Sequence, residues 1–268
     1  MKYFSSIHRL RVLRIIALAF ALDVLGTAAH GAVVDPDAGR GKKLLYVYNQ
    51  TKLEKAKAAV PPPADPARIP TLERWRSNDR KAIEYLQSLG FTVTGKDEYS
   101  PVEATAGQDL IVISESVDAL EIGTKYRNTA IPLLTFENDL LGELAMTGLK
   151  IGRDTGTDDN QRFLWLVNAP HPLAAGLSAG IQNVLDDENL KMNWGKPGLG
   201  AIVIATLRGE PDKAAVFAYE RGATMNGEAI APARRVSFFL WQDTFQHLRP
   251  EGLALFRAAV LWAVSPPQ

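Results

Sequence analysis

Two glutamates stand at the ends of apolar runs. Leu110-Ile111-Val112-Ile113 leads into Ser114-Glu115-Ser116, and Ile131-Pro132-Leu133-Leu134-Thr135-Phe136 leads into Glu137-Asn138-Asp139. Each run reads as a strand covered on both faces, because it lacks the apolar/polar alternation of a half-exposed strand. Carboxylates at neighbouring strand ends can serve as general acid and base when their surroundings hold them in different protonation states. Glu137 and Glu115 are therefore candidate catalytic residues. Glu137 also has an ordinary structural use, since negative charge at the start of a helix satisfies free backbone N–H groups. The two uses predict different surroundings. A catalytic carboxylate shares a cavity with Glu115 and Asn49, whereas a capping carboxylate is tied to backbone amides or an arginine and faces no cavity.

His171 is a third candidate, because one imidazole suffices for general-base work; the alternative is that it orders the loop it occupies. Asn49, Ser114 and Asn138 fall at strand ends and could contact a ligand there. Trp194, beside Gly195, Gly198 and Gly200, is either an exposed platform for a sugar or a buried packing residue. Gly176-Leu177-Ser178-Ala179-Gly180 matches a Gly-x-Ser-x-Gly pattern, but Pro170 and Pro172 leave no room for the strand that a serine-hydrolase elbow requires. Asp158-Asp159 and Asp186-Asp187-Glu188 lack the alternating spacing of a calcium loop and read as solvated surface. The glycines fit neither dinucleotide nor phosphate-loop spacing. No metal site and no cofactor are expected.

The elements that must position these residues follow from periodicity and punctuation. Leu44 to Tyr48 is the first strand candidate, followed by a long loop through Pro61-Pro62-Pro63 and Pro66. Ser77 can cap a helix that places Ile83, Leu86 and Leu89 on one face and stops at Gly90. Strands are expected at 91–94, 110–113 and 131–136. Helices are expected after Pro101, over 117–127 and over 138–145. This alternation predicts a parallel sheet with helices on both faces, and ligand sites beyond the carboxyl ends of its strands. In the second half, Phe163 to Val167 and Val236 to Leu240 read as strands. Ala201 to Leu207 and Ala214 to Tyr219 read as a hairpin with a turn of five or six residues. A last helix runs from Pro250 to Val264, with Leu253, Phe256, Val260 and Ala263 on its buried stripe.

The 268 residues are 46% hydrophobic, ample for one sizeable core, and Lys plus Arg equal Asp plus Glu at 30 each. Residues 1–32 have the layout of a secretory signal peptide: Lys2, Arg9, Arg11 and Arg14, then an apolar run from Ile15 to Leu22, then small residues. That run is far shorter than the roughly 20 residues of a spanning helix. The leader holds four basic side chains and one acidic, which leaves 26 basic against 29 acidic, a formal charge of −3. No basic footprint for nucleic acid exists, and no membrane span remains after the leader. The chain has no cysteine, which removes thiol chemistry and disulfides. Two of the four histidines, His8 and His30, lie in the leader, so zinc sites built on several His or Cys ligands are excluded. Residues 33–42 read as a linker and 43–264 as one domain. The expected location is periplasmic or secreted, and the expected partner a small molecule or an envelope protein.

"DLIVISES" (109–116) followed by "IPLLTFENDLLGELAMTG" (131–148) resembles the class I glutamine amidotransferase-like fold, in which a Pro-initiated strand enters a nucleophile elbow. "HPLAAGL" (171–177) and the ending "ARRVSFFLWQDTF" with "LFRAAVLWAV" are similar to the trehalose-utilisation, ThuA-like branch. The resemblance implies a three-layer α/β sandwich with a mostly parallel, flavodoxin-like sheet over residues 43–264, with the antiparallel hairpin added in the second half. It puts Glu137 where the family's cysteine stands, flanked by Thr135 and Asp139 instead of the elbow glycines. Without a thiolate, amidotransferase chemistry is excluded. Two readings remain: an exported binding or assembly module of the envelope, or a ThuA-like enzyme acting on a carbohydrate or related metabolite through its strand-end carboxylates.

Overall fold

Leu44, Leu45, Tyr46 and Val47 are all completely buried, yet they face opposite ways. Leu44 and Tyr46 join one apolar cluster, while Leu45 and Val47 join another, as strand pleating requires. The same split divides Leu110 and Val112 from Ile111 and Ile113. These strands therefore form the middle layer of the fold. The computed structural model describes residues 37–266. The expected signal peptide and the first linker residues lie outside them.

The first half builds β1 (Lys43–Val47), α1 (Lys52–Ala58), α2 (Arg68–Ser88), β2 (Thr92–Lys96), β3 (Leu110–Ile113), α3 (Ala119–Ile122) and β4 (Leu133–Thr135). The second half adds β5 (Thr155–Asp158), β6 (Phe163–Leu166), β7 (Gly180–Asn183), β8 (Met192–Gly195), β9 (Ile202–Leu207), β10 (Glu210–Tyr219), β11 (Arg235–Phe238) and α4 (Pro250–Val264). All eleven described strands join one mixed sheet in the order β2-β1-β3-β4-β11-β10-β9-β6-β7, with β8 branching from β10 and β5 pairing β8. β2, β1, β3, β4 and β11 run parallel. The remaining strands pair antiparallel. The expected mostly parallel sheet is thus confined to one half of the structure.

The two faces are covered unequally. α2 and α4 lie against one face through Ala82, Leu86, Phe256, Ala259 and Val260. The other face is covered by α3, a single turn, and by irregular chain carrying Tyr126, Leu140, Leu141, Leu144 and Met146. The helix expected over 117–127 ends at Ile122 because Gly123 follows with φ +50° and the chain turns away. The helix expected over 138–145 is only a 3₁₀ turn, Asn138–Leu140, and the segment closes at Ala145 with φ +59°. A sandwich with helices on both faces is therefore realised on one side only.

Other boundaries shifted for identifiable reasons. α2 starts at Arg68, not at Ser77. Pro70 falls in its first turn, where backbone N–H groups have no intrahelical partner to lose. The hairpin turn is two residues, Arg208-Gly209, because β10 begins at Glu210 and pairs it with Leu207; Gly209 supplies the positive φ, +82°. β5, β7 and β8 had no counterpart in the pattern reading. α4 has the expected bounds.

Candidate functional site

β4 ends at Thr135, and the chain leaves it through Phe136 and Glu137. Glu137 has φ −70° and ψ 106°, ordinary extended backbone. A nucleophile elbow holds its residue in a sharp, strained turn, so this is a plain strand exit. Glu137 Oε1 accepts from the Asp139 backbone N–H at 2.9 Å, which caps the 3₁₀ turn. The Glu137 N–H donates to Thr135 Oγ1 at 3.1 Å. The residue is only 5% exposed. Burial pushes its carboxyl pKa up to about 8, opposed by the Asp139 N–H and the charge of Lys52 and reinforced by the charges of Asp139 and Asp118.

Glu115 leaves the neighbouring strand, β3. Its Oε2 accepts from the Gln242 N–H at 2.9 Å. Burial raises its pKa well above the usual carboxylate range, and the charge of Glu137 raises it further. The two carboxylates leave neighbouring parallel strands, with Ile113 opposite Thr135. Two adjacent, desolvated carboxylates resist simultaneous ionisation.

A third buried acid lies near enough for its charge to act on Glu115. Asp79, on α2, accepts from Tyr46 Oη at 3.0 Å, Ser114 Oγ at 2.5 Å and Ser116 Oγ at 2.7 Å. Burial raises its pKa to about 6, against the lowering effect of these donors. Ser114 is thereby committed to Asp79. Asn49 is equally occupied: its Nδ2 donates to Glu98 Oε1 at 2.6 Å, its Oδ1 accepts from the Lys52 N–H at 2.7 Å, and its N–H donates to Ser116 Oγ at 3.1 Å. Glu98, wholly buried, also accepts from the Asp118 N–H at 2.6 Å. Asp79 left a readable trace, a lone acid in the seven-residue rhythm Leu72-Asp79-Leu86 of an otherwise apolar stripe. Glu98 left none.

What closes this edge is the second half of the chain. Asn193 on β8 donates from Nδ2 to the carbonyls of Phe136 and Leu240, each at 2.9 Å. Thr155 on β5 donates to the Asn138 carbonyl at 2.7 Å. The β5–β8 ribbon is thus pinned across the exits of β4 and β11. Asn138 is buried beneath it and donates to Asp139 Oδ1 at 3.1 Å. The cavity lined by Asn49, Lys52, Asp79 and Ser116 has about 10 Å³, barely the space of one water.

The other candidates lie elsewhere. His171 accepts from the Leu173 N–H at 3.2 Å through Nδ1 and meets Trp262 edge-on at 5.7 Å. Burial lowers its pKa, with the charges of Glu220 and Arg234 acting in opposite senses. Arg234 immediately precedes β11, so His171 belongs to the amino edge of the parallel strands, opposite Glu115 and Glu137. Trp194 is buried, donates to Asp158 Oδ1 at 2.8 Å, and has Lys213 over its ring at 5.1 Å. Asp158 also pairs with Lys213 at 2.6 Å, so it is a packed anchor, not solvated surface. Ser178 is exposed in the loop before β7, far from any strand-to-helix turn. Among the described residues no cluster of His, Asp and Glu could hold a metal ion.

The chain shares its fold with a ThuA-like protein from Bacteroides uniformis, with a TM-score of 0.50 at 13% identity over 85% of this chain and 93% of that one. Weaker likenesses extend to a GMP synthase component from Thermoplasma acidophilum (TM-score 0.46, 10% identity, 83% and 94% coverage) and to the mmIFT52 N-terminal domain (TM-score 0.45, 12% identity, 84% and 98% coverage). No family model matches the sequence, and no curated protein matches it.

Proposed function

We propose that this chain is an exported binding or assembly module of the cell envelope, built on an amidotransferase-like, ThuA-like fold without amidotransferase chemistry. The observation that carries this reading is the filled carboxyl edge. The edge where α/β sheets take their ligands is spanned by the β5–β8 ribbon, and Glu137, Glu115, Asn49, Ser114 and Asn138 all bond to the protein itself. Exposed aliphatic side chains add support. Leu149, Ile151, Leu199 and Ile230 stand on loops joined by the Thr147–Pro197 and Thr224–Ile230 bridges and by the close approach of Gly198 to Asn226. Linked apolar loops of this kind suit a protein partner. Export rests on the leader-like residues 1–32.

One observation favours the second reading, a ThuA-like enzyme acting on a carbohydrate or related metabolite. Glu137 and Glu115 both hold protons more tightly than free carboxyls, which suits a general acid. That reading requires the ribbon to lift. The discriminating experiment is an amide NMR titration with a saccharide panel that includes trehalose, combined with product analysis. The module reading expects no shifts at Glu115, Glu137 or Asn138 and no turnover. Saccharide-dependent shifts there, with turnover that Glu137→Gln abolishes, would overturn it.

A further inference from the structure

We propose that a groove at the amino edge of the sheet binds a small amphipathic organic anion, with a carboxylate or phosphate head on an apolar body. The groove has about 450 Å³ and is lined by Thr124, Arg127, Asn128, Met225, Ala229 and Ile230. That volume lies within the usual range for small-molecule sites. Its two walls are the segments that feed β4 and β11, so it lies at the opposite end of the sheet from the glutamate pair.

The chemistry of the lining is divided. Met225, Ala229 and Ile230 give an apolar wall, with Ile230 itself exposed. Facing them, Thr124 and Asn128 offer a hydroxyl and an amide, and the part-buried residue Arg127 offers a guanidinium. Arg234, buried at the same edge, is neutralised by Glu220 at 2.8 Å. Arg127 has neither an ion pair nor a side-chain hydrogen bond among the described residues. A guanidinium fork is suited to carboxylate or phosphate oxygens.

A second observation points the same way. Arg235 is wholly buried and has no carboxylate partner among the described residues. Its guanidinium donates to the carbonyls of Ile131 at 3.0 Å, Arg234 at 3.1 Å, Arg127 at 3.4 Å and Thr129 at 2.5 Å, while its Nε lacks a partner. Burial alone lowers its pKa, to about 10, so it remains charged at neutral pH. The loop that carries Arg127 therefore rests on an unneutralised cation. Two positive charges with no paired anion make this edge a favourable place for negative charge. The apolar wall beside them adds selectivity for an anion with a hydrophobic body.

The test is an amide NMR titration with 4-phenylbutyrate and phenyl phosphate, with inorganic phosphate and 4-phenylbutanol as head-only and body-only probes. Both organic anions should shift Thr124 to Asn128 and Ala229 to Ile230 saturably, and each at least about tenfold more tightly than its fragments. The tighter of the two shows which of these head groups the groove prefers. Arg127→Ala should weaken binding by about tenfold or more, and Ile230→Ser should weaken it several-fold. The Arg127 side chain has no hydrogen bond or ion pair to lose, so the variant should keep the remaining amide spectrum; Arg127→Gln serves as a second variant. No saturable shift with either organic anion at millimolar concentration overturns the proposal, as does binding that survives Arg127 substitution. The glutamate pair takes no part, and Ile230 alone of the exposed loop side chains offered to a protein partner lines the groove, so either outcome leaves the filled carboxyl edge as the basis of the module reading.

Discussion

Glu137 keeps its proton because of where the chain puts it. A glutamate ordinarily titrates at 4.5, and burial moves this one to about 8. Between those values the folded protein holds a proton that the unfolded chain has released. Its contribution is therefore fully present below about pH 4.5 and is lost as pH rises towards about 8. Glu115 shifts in the same direction, and Asp79, raised to about 6, adds to the lower part of the window. Asp139 and Asp118 sharpen the effect and Lys52 moderates it. Urea unfolding should show the wild type losing on the order of a few kcal/mol between about pH 5 and about pH 8. Glu137→Gln should flatten that slope and be the more stable form at the alkaline end. An unchanged slope in the variant would mean that Glu137 is ionised throughout.

At the scale of elements, α4 is the clamp that holds the sheet to its helical layer. Phe256 meets Phe245 at 5.2 Å, Phe238 at 5.6 Å, Phe136 at 5.8 Å and Tyr85 at 5.9 Å between ring centroids. One ring thus joins α4 to β11, to the exit of β4 and to α2. Phe256→Ala should cost about 3–5 kcal/mol in urea unfolding, through lost burial and the cavity left behind. A cost below about 1 kcal/mol would show that the cluster collapses onto the gap and that α4 is held by other contacts. Phe136 also lies next to Glu137, so this packing fixes where the strand exit points. The aromatic cluster and the Asn193 bonds set the same turn from opposite sides.

Across the whole molecule, one face of the sheet has two long helices and the other has turns and loops. The thinly covered side carries Leu149, Ile151 and Leu199 on its loops, all exposed. They contribute little to folding, since surface substitutions are generally worth about half a kcal/mol. The double substitution Leu149→Asp with Leu199→Asp should leave the unfolding free energy within about 1 kcal/mol of wild type. It should also raise solubility in ammonium sulfate, because an exposed apolar surface has been removed. Strong destabilisation would show instead that these side chains pack within the fold.

The sequence by itself determined the parallel half. Continuous apolar runs such as 110–113 need cover on both faces, and Gly90 and Pro250 punctuate helices wherever they fold, so β3, β4 and α4 were legible. That Glu115 and Glu137 leave neighbouring strand ends was legible too, because β3 and β4 pair in parallel. The closed edge was decided only by tertiary structure. β5 and β8 are four residues each and carry Thr155, Gly156 and Asn193 in place of an apolar rhythm. Their pairing and their grip on Phe136 and Asn138 come from contacts up to 57 residues apart in the chain. A period can be read within one segment, but a bond between distant segments exists only once the intervening chain has folded. What lies over the exit of β4 was decided by that ribbon, whereas the bond from Glu137 to the Asp139 amide spans only two residues.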